Sequence, residues 1–148
     1  MIHEYPLDGN PRMMTHLFEN KNGERIIAVK GAPEAILKSS TLNSEQINKV
    51  NSYLESFARE GLRVLGVGII DFEGNEFPAT QQEFKNTFLG LIGFYDPPKK
   101  NIGEVFNHLY DAGIKVKIIT GDNLLTTTAI AKEAGLRGWE RDITGAEL

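Results

Sequence analysis

Three short stretches carry residue types suited to binding and moving a phosphate. In the first, Thr120-Gly121-Asp122-Asn123 follows the apolar pair Ile118-Ile119 and precedes a helix-like pattern from Leu124. A glycine lets the chain turn tightly at a strand end, and Asp122 or Asn123 can cap the next helix. A hydroxyl and several N–H groups then face outward, which suits an anion. The plain alternative is a strand, turn and helix with a threonine and an Asx cap. In the second stretch, Lys30-Gly31-Ala32-Pro33-Glu34, a lysine ends an apolar strand and a turn opens a helix. Such a lysine can reach an anion or a base lying against bare backbone, or simply be solvated. The third is Arg63, near the start of Leu62–Ile70, on the same strand face as Leu65 and Val67. It is either an edge residue in water or a fork for phosphate.

Other chemistries find little support. There are no cysteines, which excludes a disulfide framework, a zinc ribbon and a cysteine nucleophile. His3, His16 and His108 are scattered without metal-ligand spacing and read as structural, so no metal site is assigned. Asp71, Glu73 and Glu76 read as a solvated turn, and Trp139 as packing. No Walker A lysine, nucleophile elbow or dinucleotide fingerprint is present.

The elements that must position these residues follow from periodicity. A hairpin is expected over 12–30, with Asn22-Gly23 in its turn and the apolar core of Glu24–Lys30 as its second strand. Pro33 and Glu34 suit the first turn of a short helix reaching about Lys38. Asn43 or Ser44 caps a helix whose apolar face is Ile47, Val50, Leu54, Phe57 and Ala58, closing at Gly61. Strands follow at 62–70 and 88–95, separated by a turn at 71–75. Asp96-Pro97-Pro98 is the clearest boundary, because two prolines remove two backbone donors. Beyond it come a helix through Leu109 to Gly113, a strand at Ile114–Ile119, and a helix at Leu124–Ala134 ending at Gly135. That order is the rhythm of a doubly wound α/β sheet.

The chain has 148 residues, 41% hydrophobic and 24% charged, an ordinary composition for a folded domain. The net charge is -4. Residues 1–95 hold nine Lys/Arg against twelve Asp/Glu, and 96–148 hold seven against eight, so no basic arm for nucleic acid is expected. The apolar runs Val64–Ile70 and Phe88–Phe94 are each seven residues, far short of the ~20 a membrane helix needs. The first residues lack the basic-then-apolar pattern of a secretory leader. The tail, residues 142–148, reads as the start of another element, so a piece of a longer chain is expected.

Taken together and in order, Lys30-Gly31-Ala32-Pro33-Glu34, Arg63 within Gly-Leu-Arg-Val-Leu, Asp96-Pro97-Pro98-Lys99, Ala112–Val116, Thr120-Gly121-Asp122-Asn123, Thr128–Ala131 and Gly135-Leu136 resemble the cytoplasmic part of P-type cation-transporting ATPases, in the calcium-pump-like branch. The resemblance covers essentially the whole chain. It implies an α/β fold: residues 1–95 as an α+β portion of a nucleotide-binding domain, 96–98 (Asp96, Pro97, Pro98) as hinge, and 99–148 as a partial phosphorylation domain of the haloacid-dehalogenase type. By motif match, Lys30 lines an adenosine pocket, Gly31 lets the nucleotide approach, and Arg63 pairs with ATP phosphates. Thr120 and Gly121 hold the transferred phosphoryl group with Asp122 beside them. Arg12 takes a basic position five residues after an aromatic one, where Leu7 stands; Tyr5 is the nearest ring.

The resemblance further implies ATP and Mg2+ as cofactors, with the magnesium ligands, the phosphorylated aspartate and the catalytic lysine outside this chain. It implies a cytoplasmic domain of an integral membrane protein, with the pump's membrane helices and a transported cation, Ca2+ for this branch, as partners. The chain by itself is expected not to turn ATP over. The competing readings are a non-catalytic nucleotide-binding module, a soluble haloacid-dehalogenase-type phosphatase and a ligand-free interaction domain.

Overall fold

A computed structural model of the chain describes residues 1–74, 76–145 and 147. Two compact units emerge: Met1–Ser52 with Val64–Gly93, and Tyr53–Arg63 with Phe94–Leu148. Among the described residues no helix is long and apolar enough to cross a membrane.

The first unit is built on a five-stranded sheet in the order β1-β2-β3-β4-β5, from His3–Asp8, Met13–Glu19, Arg25–Gly31, Arg63–Ile70 and Thr87–Phe94. The expected hairpin is β2–β3, antiparallel from Met13 opposite Gly31 to Glu19 opposite Arg25. Asn20 organises its turn: the side-chain Oδ1 accepts from the N–H groups of Asn22 and Glu24, and Gly23 takes φ +81°.

Alternation along the strands decides what is core. Met13, Thr15 and Leu17 of β2 and Ile27 and Val29 of β3 are each at most 2% exposed. Helix α1, Pro33–Lys38, packs Ile36 on that face. Burying a side chain of this size contributes roughly 1.5–3 kcal/mol. The matching face of β4 is glycine: a Cβ on Gly66 would lie 3.1 Å from Ile36, and one on Gly68 only 2.7 Å from Asn86 Oδ1. The glycines therefore make room for α1 and for Asn86, whose Nδ2 donates to Ile36 O and Ser39 Oγ. Helix α2, Ser44–Arg59, is capped reciprocally, Gln46 N–H donating to Asn43 Oδ1 and Asn43 N–H to Gln46 Oε1. It turns its Ile47–Ala58 stripe inward as expected.

In the second unit, α3 (Ile102–Asp111) ends at Gly113 with φ +76°, and α4 (Leu124–Glu133) ends at Gly135 with the same φ. The segment expected as a strand, Ile114–Ile119, belongs to no ladder, and Ile119 is 97% exposed. A strand exists by pairing, and none of the described residues pairs with this one. At the tail, Thr144 N–H and Oγ1–H both donate to Glu147 Oε2. These two bonds hold the Glu147 carboxyl below its usual range. Asn75, Ala146 and Leu148, within the expected turn and final element, lie outside the described residues.

Gly31 sits where β3 meets the start of β2. A Cβ there would lie 2.6 Å from both Arg12 O and Met13 Cα. Those are backbone atoms that cannot swing away, so Gly31→Ala should destabilise the protein by roughly 1–3 kcal/mol in urea unfolding. An unchanged midpoint would contradict this packing.

Candidate functional site

In the first unit Lys30 lies at the end of β3, and Arg12 lies in the turn that leads into β2. Lys30 is exposed and lies opposite Met14 of β2 and Val67 of β4. Arg12, two residues before Met14, is also exposed, and its carbonyl accepts the Ala32 N–H at 2.8 Å. Gly31 is buried, and its missing Cβ lets the Arg12-Met13 backbone come close.

Tyr5 and Leu7 part company. Tyr5 is 8% exposed, its hydroxyl donates to Pro78 O at 2.6 Å, and its ring meets Phe84 edge-on at 5.7 Å. Burial, then the charge of Glu83, raises its phenol above the usual range. Its ring is part of the core cluster. Leu7 is exposed beyond a register shift in the β1–β2 pairing.

Gln81, which carried no signal in the sequence, holds this corner together. It is 3% exposed, accepts from Thr15 Oγ1 at 3.0 Å, and donates through Nε2 to Pro6 O and Met13 O, both at 3.0 Å. It thus ties both ends of the turn that carries Leu7 and Arg12. Its partners are 66 to 75 residues away along the chain, beyond the reach of any local pattern.

In the second unit the threonine turn is open to solvent. Thr120 Oγ1 accepts from Asp122 N–H at 3.0 Å, and Asn123 Oδ1 caps α4 through Leu125 N–H at 2.9 Å. Of the two candidate caps, Asn123 is the one used. A Cβ on Gly121 would have nothing within 4 Å. Thr120, Gly121 and Asp122 line an open groove of about 1180 Å³ with Leu124, Thr128 and Arg137. Arg63 arrives here too, its Nη2 3.3 Å from Asp122 Oδ1. Thr126 explains the meeting, since its buried hydroxyl donates to Leu62 O and fixes the residue before Arg63. Both charged side chains are more than a third exposed, so the pair contributes at most ~1 kcal/mol and Arg63 is available to another anion.

Asp96, Pro97 and Pro98 form an irregular, mostly exposed stretch after β5. Tyr95 just before it donates to Glu133 Oε1 at 2.7 Å, a bond that raises the phenol pKa. Trp139 lies under Lys132 Nζ, 5.1 Å from the ring centroid, a cation–π contact in place of simple packing. Among the described residues no three His, Asp or Glu side chains converge to hold a metal.

Because Asn123 is the cap, Asn123→Ala should cost about 1 kcal/mol and speed amide exchange at Leu125. Unaltered exchange at Leu125 would show that the cap does not organise the turn.

The family described as the P-type ATPase cytoplasmic domain N matches residues 1–101. A "Calcium-transporting ATPase" of Bacillus subtilis (strain 168) is 33% identical over 147 residues, covering 92% of this chain and 16% of that protein. The "Sodium/potassium exporting P-type ATPase cta3" of Schizosaccharomyces pombe is 34% identical over 145 residues, 91% of this chain and 14% of its own length. A "Probable cation-transporting P-type ATPase" of Mycoplasma genitalium is 31% identical over 152 residues, 99% and 17% respectively. The chain thus spans about a sixth of the length of these relatives. A match running from residue 1 through the sheet, α1, α2 and the double proline is too extensive for a shared turn alone: the chain belongs to the P-type ATPase cytoplasmic domain N family.

Proposed function

We propose that this chain binds ATP and serves a membrane pump that moves a cation through an aspartyl-phosphate. The observation that supports the reading is that Arg12 and Lys30 are both exposed where the β1–β2 turn meets the end of β3, with Arg12 O accepting the Ala32 N–H. Two cations so placed suit a polyphosphate, and charge-assisted bonds are the strong ones. In the second unit, Thr120 offers a hydroxyl and Gly121 an uncrowded backbone to a phosphoryl group. Arg63 can exchange its partner Asp122 for a phosphate oxygen.

Phosphoryl transfer asks for positioning and charge neutralisation, which these groups supply. The described residues do not assemble a magnesium site. Because relatives are named for calcium and for sodium and potassium, the cargo is proposed only as a metal cation, with calcium as the sequence's leaning. The phosphate acceptor aspartate is assigned elsewhere in the pump, so this chain should bind without turnover.

Isothermal titration should give measurable ATP binding, and Lys30→Ala should weaken it about tenfold, the loss of roughly one charge-assisted contact. The purified chain should release no phosphate at steady state. Equal affinity in Lys30→Ala would remove the lysine from the site, and steady turnover would refute the division of labour.

A further inference from the structure

The chain between β1 and β2 lacks the regular ladder that holds the rest of the hairpin. Tyr5 pairs with Thr15 and Asp8 with Met13, and the register shifts between them. Pro6 falls in that gap and has no N–H to give. A side chain fills it. Gln81, in the 3-10 turn Gln81–Glu83, donates through Nε2 to Pro6 O and to Met13 O, both at 3.0 Å. One carbonyl precedes residues 7–12 and the other follows them. Both can only accept, so the amide stands one way round, and its Oε1 takes the Thr15 hydroxyl at 3.0 Å. Gln81 is 3% exposed and Thr15 not at all, so water does not replace a bond lost there. The surrounding segment reinforces the hold. Thr80 N–H and Oγ1–H both donate to Glu83 Oε1, and the Tyr5 hydroxyl donates to Pro78 O. At the tip of the turn, a Cβ on Gly9 would lie 2.6 Å from Gln82 Nε2.

Arg12 is the last residue of this turn. Its side chain is exposed and makes no hydrogen bond or ion pair among the described residues, so the backbone alone decides where the guanidinium stands. Lys30 is placed differently, in the middle of three paired strands, opposite Met14 and Val67 on the outer face of the sheet. We propose that Gln81 is a positioning residue for nucleotide binding: it holds residues 7–12 so that Arg12 is presented to the phosphates that Lys30 also attracts. Gln81 is enclosed in the core and touches no ligand itself. Its contribution is to fix the turn before the ligand arrives, so that binding need not order it. This inference rests on the ATP reading and adds to it the buried group that organises one of the two cations. Because only Arg12 depends on the turn, the effect of Gln81 should pass through Arg12 and not through Lys30.

Titration calorimetry of ATP on the whole chain, with paired substitutions, tests this dependence. Gln81→Met keeps the length and apolar body of the side chain and removes its bonds. It should weaken ATP about fivefold, the scale of one neutral hydrogen bond. Arg12→Ala should weaken ATP as well, and adding Gln81→Met to it should change the affinity no further. Added to Lys30→Ala, Gln81→Met should again weaken binding about fivefold. Unaltered affinity in Gln81→Met would overturn the proposal. So would an equal loss with and without Arg12, because that is the mark of general loosening. Where Gln81→Met loses a native-like thermal transition, Thr15→Val takes its place: it keeps the core shape, deletes the hydroxyl that anchors the amide, and should weaken ATP about twofold only while Arg12 is present. If the unmodified chain did not bind ATP, the ATP reading would fall and this assignment with it. If ATP bound and Lys30→Ala weakened it while Arg12→Ala did not, the assignment of Gln81 alone would fall.

Discussion

The register of the β2–β3 ladder is the constraint on which the first unit depends. Because side chains alternate, one pairing places Met13, Thr15, Leu17, Ile27 and Val29 inside and Met14, His16 and Lys30 on the other face. A slip of one residue in either strand would exchange the two sets, burying a lysine and exposing the core. Gly31 secures the end of that register by letting the β2 backbone approach within a distance no Cβ would tolerate. Gln81 secures the adjoining turn from within the core. The buried core and the exposed Lys30 are therefore set by one and the same register.

The second unit solves a different problem. Its threonine turn is held by short-range bonds from Thr120 and Asn123, and Arg63 is brought beside it by the Thr126–Leu62 bond. None of the charged groups there is buried, so their contacts contribute little to stability and exchange easily with a ligand. The extended residues before the turn keep open backbone and exposed isoleucines. Local order at the turn thus comes from caps and side-chain bonds, with no ladder beneath it.

Much of this was legible from spacing alone. The Asn-Gly turn, the helix from Ser44 and the glycine stops at Gly113 and Gly135 are local signals, and each appears where its chemistry requires. What escaped depends on distance. β1 contributes only Tyr5 to the core, and as an edge strand it tolerates Pro6. Gln81 acquires its meaning only when strands more than sixty residues away surround it. Ile114–Ile119 has the composition of a strand, but composition cannot supply a partner. For the site, the types of Lys30, Arg12 and Arg63 suggested anion chemistry, but the company each keeps, such as Arg63 beside Asp122 or Tyr5 against Phe84, depends on contacts that spacing does not carry.

Whether ATP binds on the outer face of the sheet, as proposed, is the decisive matter, and amide chemical-shift mapping during an ATP titration addresses it directly. The largest changes should fall on Met14, His16, Lys30 and Val67, with small ones at buried Leu17 and Val29. Changes confined to the core-side helix α1, or no residue-specific changes at saturating ATP, would contradict the placement and leave the sheet's outer face without a ligand.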